Sequence, residues 1–215
     1  MNLYIMRHGE TDWNKQGLLQ GSVDIPLNEN GRILAEITRD GLKKDGVSFD
    51  KIFSSPYQRA VKTAEIMNEG SSDPVIIDDR IREMGFGPYE GIKVCELKTN
   101  PAYIEINKCF DDPVHYQQEG NAESYEEVFG RVGRFLTEQI LPLEKSCENV
   151  LVVCHGAIAR AFISIIGNMP LAEYWTPHQP NCCVNIAKLE KGRITMTEIG
   201  RLYYENKAEE ERGFV

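Results

Sequence analysis

The chain carries four short, mostly apolar runs in which polar residues do not alternate with apolar ones. These runs occupy residues 3–6, 51–53, 75–77 and 150–153. A strand that is covered on both faces of a sheet needs apolar side chains at successive positions, so such runs are typical of parallel strands. Between the runs, apolar residues recur every three or four positions, which is the helical period. This alternation predicts right-handed crossovers and a mostly parallel sheet with helices on both faces.

Helix starts are marked by polar side chains that can accept hydrogen bonds from free backbone amides. Ser124 and Glu127 form a capping box ahead of a clear apolar stripe. Ser55 and Gln58 repeat that spacing, with a proline between them at the expected first helical position. Asn28 is the expected cap of an earlier helix. The sequence therefore predicts a helix after each of these three caps.

The last part of the chain has a different pattern. Residues 157–166 are apolar almost all round and are followed by Gly167, which predicts a short buried helix that stops at the glycine. Residues 184–189 and 193–199 read as two strands with a three-residue link at 190–192. This arrangement predicts a hairpin, which adds an antiparallel pair to one edge of the sheet.

One internal segment and one terminal segment fit neither pattern. Residues 85–121 show no clear period and contain three prolines, and we interpret them as a cap inserted into a single domain of residues 1–204. Residues 205–215 are dominated by charge, which predicts a frayed tail. The predicted fold class is α/β: three layers (α/β/α), a mostly parallel sheet with an antiparallel edge, and an inserted cap.

Composition and charge exclude several classes of protein. The 215 residues are 41% hydrophobic and 27% charged, as in ordinary globular proteins. Because 24 basic and 33 acidic residues leave a net charge of −9, a nucleic acid is not an expected partner. The chain has neither an apolar stretch of membrane-spanning length nor a secretory leader pattern, so we expect a cytoplasmic protein that binds no membrane. Zinc-type CxxC spacing is absent from the six cysteines, which we interpret as free thiols: Cys95, Cys109, Cys147, Cys154, Cys182 and Cys183.

Residues that can bind anions or act in catalysis follow three of the predicted strands. Arg7 and His8 follow the first strand, Arg59 lies shortly after the second, and His155 with Gly156 follows the fourth. The carboxyl ends of parallel strands meet at one edge of a sheet, where open α/β folds bind their ligands. Two guanidiniums and two imidazoles at one point favour an anion with several oxygens, such as a phosphoryl group. Histidine can also take a phosphoryl group covalently.

The motifs that contain these residues resemble the histidine phosphatase superfamily, in its phosphoglycerate mutase-like branch. They are RHGET at 7–11 with Asn14, Gln20-Gly21, SSP at 54–56 with Arg59, Arg82-Glu83 with Gly87 and Glu90-Gly91, and His155-Gly156. These motifs stand in the family's order and extend from residue 7 to residue 156. The chain departs from the family pattern in having Cys154 where a serine or threonine is frequent and Tyr89 where a tryptophan is frequent. Both departures concern the details of the pocket and hence substrate choice.

The resemblance implies a catalytic role for five side chains. His8 would be the nucleophile that becomes phosphohistidine, and Arg7, Arg59 and His155 would hold the phosphoryl oxygens. Glu83 would protonate the leaving oxygen and then accept the proton of the hydrolytic water. The alternative for Glu83 is a surface ion pair with a neighbouring arginine, Arg80 or Arg82.

Further residues of the motifs are expected to bind the substrate. Asn14 and the backbone amide of Gly156 would add hydrogen-bond donors, and Gln20 with Gly21 would lie at the lip of the pocket. The resemblance implies no metal ion and no cofactor. A phosphate or sulfate ion is expected to occupy the same place as the substrate's phosphoryl group.

These expectations favour a phosphatase that acts on small phosphorylated metabolites. The alternative within enzymes is a phosphoglycerate mutase, which returns the phosphoryl group to an acceptor other than water. The alternative of another class is a non-catalytic phosphoryl-binding scaffold, which should have lost His8 or Glu83. The sequence leaves open the physiological substrate, the role of His115, and the choice between a monomer and a weak homodimer.

Overall fold

Six strands form one twisted sheet in a computed structural model that describes residues 1–205. The strands are β1 (Asn2–Arg7), β2 (Lys51–Ser54), β3 (Ile76–Ile77), β4 (Asn149–Cys154), β5 (Val184–Glu190) and β6 (Arg193–Arg201). Their order is β3-β2-β4-β1-β5-β6. The strands β3, β2, β4 and β1 are parallel to one another, whereas β5 is antiparallel to both β1 and β6. The predicted mostly parallel sheet with an antiparallel edge is confirmed.

The register of the central strands places their carboxyl ends side by side. β1 pairs with β4 from Asn2 opposite Asn149 to Arg7 opposite Cys154. β2 pairs with the other side of β4, with Ser54 opposite Val153. Each chain segment that follows these strands therefore starts at the same edge of the sheet.

Within residues 1–205 the structure contains seven α-helices, and the longer ones cover the two faces of the sheet. They are α1 (Asp12–Gln16), α2 (Glu29–Lys44), α3 (Gln58–Met67), α4 (Val94–Thr99), α5 (Ile104–Asp111), α6 (Tyr125–Phe135) and α7 (Gly156–Gly167). Alternate residues of β1 point to opposite faces, so Leu3 packs in one core with α6 and α7, and Tyr4 packs in the other with α2 and α3. The three-layer arrangement predicted from the sequence is confirmed.

Two of the three predicted helix caps are confirmed and one is wrong. The capping box of Ser124 and the cap of Asn28 are both present. At the third site the helix begins later, at Gln58, and Tyr57 occupies the cap position without a side-chain hydrogen bond. The amide of Gln58 instead donates to Asp24 Oδ1 at 2.8 Å. Ser55 does not cap the helix because its hydroxyl faces another partner, which belongs to the site described below.

The ends of three other elements differ from the sequence prediction. Gly167 is the last residue of α7, and the residue in the left-handed region is Asn168, with φ of 50°. The hairpin turn has two residues and not three, because Glu190 already pairs with Arg193. The two turn residues between them have positive φ, which matches the twist of the flanking strands. The third predicted strand shortens to the two residues of β3.

The segment interpreted as a cap contains α4 and α5, which the sequence analysis missed. Leu97, Ile106 and Cys109 of these helices are buried in the same core as α6. The segment therefore shares the core of the sheet. Most of the predicted tail, residues 206–215, lies outside the described residues.

Two further observations concern the described part of the chain. All six cysteines lie within residues 1–205, and no disulfide joins them. No helix within residues 1–205 has the length and apolar character needed to cross a bilayer.

Candidate active site

A cavity of about 110 Å³ opens at the carboxyl end of the parallel strands. Eight of the nine predicted site residues line it: Arg7, His8, Asn14, Gln20, Gly21, Arg59, Glu83 and Gly156. The ninth, His155, lies directly behind the wall, with its ring centroid 5.0 Å from that of His8. The structure therefore brings together predicted site residues that are up to 149 positions apart along the chain, namely Arg7 and Gly156.

His8 is held in one orientation and one tautomer. Its Nδ1 lies 2.7 Å from the carbonyl oxygen of Gly9. Because a carbonyl oxygen only accepts, Nδ1 carries the proton and the lone pair of the neutral ring is on Nε2. Burial lowers the pKa of His8 well below its usual value, and the charges of Arg59 and Arg7 lower it further. The side chain is therefore a neutral imidazole whose Nε2 carries no proton and can act as a nucleophile.

Arg59 is a fully buried guanidinium that connects the site to a neighbouring loop. Its Nη1 and Nη2 each donate at 2.8 Å, to the carbonyl oxygens of Val23 and Gly21. Burial lowers its pKa to about 10, so the group stays charged at neutral pH. A charge in this position is stabilised by an anion in the cavity.

His155 has partners at both ring nitrogens. Nδ1 accepts from Arg59 Nε at 3.1 Å, and Nε2 lies 2.6 Å from Ser55 Oγ. Since Nδ1 accepts, Nε2 carries the proton and donates to the serine. Burial lowers the pKa of His155 well below its usual value, followed by the charge of Arg59. The family resemblance predicted that His155 would donate to a phosphoryl oxygen. In this structure its Nε2 donates to Ser55 Oγ instead.

Two of the predicted site residues each have a buried donor with no hydrogen-bond partner among residues 1–205. Arg7 donates from Nη1 to the carbonyl oxygen of Gln179 at 2.5 Å, but its Nε is unpartnered. The side-chain amide nitrogen of Gln20 is unpartnered as well. Buried polar groups without partners cost free energy, so such groups favour a ligand that accepts hydrogen bonds.

Glu83 reaches the cavity from the loop that precedes α4. Its two oxygens accept from the backbone amides of Met84, at 2.9 Å, and Ala157, at 3.4 Å. Burial raises the pKa of Glu83 above its usual value, although these amides and the charges of Arg59 and Arg7 oppose the shift. A carboxyl group that keeps its proton at higher pH is suited to general acid catalysis.

The alternative of a surface ion pair for Glu83 is wrong. Arg80 pairs with Asp78 and Glu138, and Arg82 pairs with Asp79 and Glu123. The loop is held instead by the buried Arg131, which donates to the backbone carbonyl oxygens of residues 80, 82 and 83.

The remaining predicted binding residues surround the same cavity. Asn14 completes a capping box with Thr11 at the start of α1. Gly21 has a positive φ of 52°, and a Cβ at this position would collide with the side chain of Glu90. Gly156 begins α7 and lines the cavity, so the positive end of the helix dipole lies at the cavity wall and favours an anion there. The exposed His115 pairs with Asp112 and is not among the residues that line the cavity.

Other residues that line the cavity were not predicted as site residues from the sequence. They include Phe86, Val94, Phe110, Arg160, Trp175 and His178. Arg160 lies within residues 157–166, which the sequence pattern predicted as a buried helix that is apolar almost all round. A single charged residue in a helix that is otherwise apolar on all sides could have identified Arg160 as a site residue. Such a charge is rarely buried without a partner, so it indicates a binding partner or a ligand.

Comparisons with known proteins agree with this geometry. The family model for the histidine phosphatase superfamily (branch 1) matches residues 3–201. An uncharacterized phosphatase of Bacillus subtilis, PhoE, is 35% identical over 195 residues, which cover 88% of this chain and 90% of the relative. The curated relatives include both phosphatases and phosphoglycerate mutases.

Solved structures with the same fold were also found. The YhfR protein of Bacillus stearothermophilus has a TM-score of 0.81 and 29% identity, and the match covers 92% of this chain and 95% of that one. A phosphoserine phosphatase of Entamoeba histolytica, solved in complex with 3-phosphoglyceric acid, has a TM-score of 0.75 and 26% identity over 93% of this chain and 96% of that one.

Within residues 1–205 we find no group of three or more His, Cys, Asp or Glu side chains that could hold a metal ion. The strand-end motifs, the α/β/α fold and the family match over nearly the whole chain lead to one assignment. The chain belongs to the histidine phosphatase superfamily, branch 1, as its motifs predicted.

Proposed function

We propose that this protein hydrolyses small phosphomonoesters through a phosphohistidine on His8. The observation that carries the proposal is the hydrogen bond from His8 Nδ1 to the carbonyl oxygen of Gly9, since it leaves Nε2 as the nucleophilic atom of a buried, neutral ring. The wall that the ring faces is rich in hydrogen-bond donors, among them Arg7 and Arg59. A phosphoryl group supplies the oxygen acceptors that these donors need.

In the first step, His8 Nε2 forms a bond to phosphorus while the bond to the leaving oxygen breaks. Glu83 gives its proton to that oxygen, so the product departs as a neutral alcohol. Arg7, Arg59 and the amide of Gly156 hold the three phosphoryl oxygens and stabilise the charge that they carry in the transition state. Asn14, Gln20 and Gly21 complete the pocket around them, and His155 keeps Arg59 in position.

In the second step, a water molecule attacks the phosphorus of phosphohistidine. The Glu83 carboxylate takes a proton from this water, and the bond between phosphorus and Nε2 breaks. The products are inorganic phosphate, a neutral His8 and a protonated Glu83. The site returns to its starting state without a metal ion or a cofactor.

Two alternatives differ in measurable products. A phosphoglycerate mutase would convert 3-phosphoglycerate to 2-phosphoglycerate with little phosphate release, whereas the proposed phosphatase releases phosphate. A non-catalytic scaffold would do neither, and the presence of both His8 and Glu83 in the cavity wall argues against it.

Trapping the intermediate tests the proposal directly. Wild-type protein mixed with a ³²P-labelled phosphomonoester and quenched in alkali is expected to carry one acid-labile, alkali-stable label, as phosphohistidine does. The His8→Ala variant should carry none and should lose turnover. The matched control is His115→Ala, which removes an exposed histidine outside the cavity lining and should label normally. Labelling of the His8→Ala variant would overturn the mechanism.

A further inference from the structure

A buried ion pair lies behind the loop that carries Glu83. It joins Arg131, which is 4% exposed, to Glu123, the residue before the cap of α6. Nε and Nη2 of Arg131 each donate to one carboxylate oxygen of Glu123, both at 3.0 Å. Neither residue is among those that line the cavity, so the pair has no direct part in the proposed chemistry.

Arg131 uses all five of its N–H donors. The two donors on Nη1 contact the carbonyl oxygens of Arg80 and Arg82, at 2.8 and 2.7 Å. The second donor on Nη2 contacts the carbonyl oxygen of Glu83 at 3.2 Å. Because a guanidinium holds its donors in one rigid plane, these contacts fix the loop backbone relative to α6.

Glu123 holds the other end of the same loop. Its Oε2 accepts from the amide of Gly85 at 2.9 Å, and its own backbone amide donates to the carbonyl oxygen of Gly85 at 2.8 Å. The amide between these contacts, that of Met84, donates to the Glu83 carboxylate. The ion pair therefore holds the backbone on both sides of Glu83, and the remaining amide orients the carboxyl group.

Stability alone does not account for this arrangement. Taking two charges out of water can cost as much free energy as their attraction returns, so a buried ion pair is weak evidence for a stabilising role. Residues 82–86 belong to no helix or strand, and no backbone ladder fixes them. A general acid, however, must lie within hydrogen-bond distance of the leaving oxygen, and a displacement of about 1 Å can cost about 100-fold in rate.

We propose that the ion pair of Glu123 and Arg131 positions Glu83 for proton transfer to the leaving oxygen. Both members are positioning residues, because they act through Glu83 and contact no reacting atom. This inference rests on the proposed phosphatase function and goes beyond it by assigning two further residues to the acid step.

The experiment compares leaving groups, because only a basic leaving oxygen needs the proton. An alkyl ester leaves as an alcohol that must be protonated, whereas 4-nitrophenyl phosphate leaves as a phenolate that is stable without a proton. The alkyl ester is the one that the wild type hydrolyses fastest among glycerol 3-phosphate, O-phosphoserine and 3-phosphoglycerate. We compare kcat/KM of each variant with that of the wild type on the same ester, since this constant includes phosphoryl transfer to His8 and excludes the later hydrolysis of phosphohistidine.

Glu83→Gln sets the benchmark, with a large loss on the alkyl ester and a small loss on the aryl ester. Arg131→Met should show the same selectivity, with kcat/KM lowered by about 10- to 100-fold on the alkyl ester and by less than about threefold on the aryl ester. Arg131→Lys keeps the charge without the planar set of donors, and Glu123→Gln keeps the shape without the charge, so both should lie between Arg131→Met and the wild type.

Two controls separate positioning from a structural role. Arg134→Met removes an exposed arginine of the same helix and should leave both constants at their wild-type values. Arg131→Met introduced into the Glu83→Gln variant should cause no further loss on the alkyl ester, because a positioning residue has no effect once the acid is absent.

Equal losses on both esters in Arg131→Met, or a further loss in the double variant, would overturn the inference, while a phosphohistidine label in the wild type would leave the phosphatase in place. Wild-type release of phosphate from the aryl ester alone would show that the site has no working acid and would also overturn the inference. Release from none of the esters would overturn the proposed function as well. If circular dichroism shows that Arg131→Met does not fold, Arg131→Lys and Glu123→Gln decide the question by the same comparison.

Discussion

The two sides of the cavity are built by different kinds of contact. The strand-end side, defined by Arg7, His8, Arg59 and His155, is a network of hydrogen bonds to backbone and side-chain atoms. The aromatic side, defined by Phe86, Phe110 and Trp175, is held mainly by ring packing, with neighbouring centroids 5.9 and 4.9 Å apart. Its one backbone anchor is the hydrogen bond from Trp175 Nε1 to the Cys109 carbonyl oxygen.

The difference suggests that the strand-end side carries out the catalysis and that the aromatic side selects the substrate. Hydrogen bonds fix both the position and the proton of a group, and catalysis of phosphoryl transfer depends on both. Ring packing fixes only a shape, which contacts whatever carbon skeleton the phosphate carries. Changes on the strand-end side should therefore lower kcat, whereas changes on the aromatic side should raise KM.

The largest effect is expected from Glu83→Gln, which should lower kcat by about 10²- to 10⁴-fold, as for typical loss of an acid catalyst. The glutamine keeps the size of the side chain and removes the proton donor. Steady-state kinetics with circular dichroism as the folding control measures this. Undiminished kcat would remove Glu83 from the mechanism.

The pH profile of the same pair of proteins sharpens the result. The pKa of His8 is lowered, so its neutral form persists below pH 6.5 and activity is lost only as pH falls through the lowered value. The pKa of Glu83 is raised, so its proton persists above its usual range near 4.5 and activity is lost as pH rises through the raised value. Glu83→Gln should abolish the alkaline limb and keep the acid limb.

On the aromatic side, Phe110→Ala should raise KM by about tenfold and change kcat by less than about threefold, since truncation of a buried aromatic ring removes apolar contact area. The matched control is Phe129→Ala, a half-buried ring of α6 in the neighbouring aromatic cluster that is not among the cavity-lining residues. A fall in kcat at constant KM would show that the two sides are not separable in this way.

The smallest effect on turnover, a change of a few fold, is expected from Ser55→Ala. The substitution leaves Nε2 of the buried His155 without its acceptor, which should lower the free energy of unfolding by about 1–3 kcal/mol. Inorganic phosphate can take the place of the serine oxygen, so phosphate should raise the melting temperature more in the variant than in the wild type. Ser54→Ala is the control, because the Ser54 hydroxyl donates to the carbonyl oxygen of Ser55 and not to His155. An equal phosphate effect in all three proteins would argue against this role.

The sequence alone was sufficient for the layers of the fold and for the strand-end side of the site. Apolar runs reveal buried strands because a strand covered on both faces has no polar positions, and residues that follow such strands must meet at one edge. Arg7, His8 and His155 were found in this way, and the family motifs added Glu83.

Only the tertiary structure decided what surrounds those residues. The bond from Arg7 to the Gln179 carbonyl joins positions 172 apart, and no local period encodes such a pair. The proton on His155 depends on Ser55 and Arg59, which local rules assigned to a cap and to the phosphoryl group. Arg160 has a partner on the cavity wall only because the chain returns to place Trp175 against it. The spacing of residues along the chain indicates which positions are buried and which chemical groups they carry. The orientation of a side chain depends on neighbours that come from distant parts of the sequence.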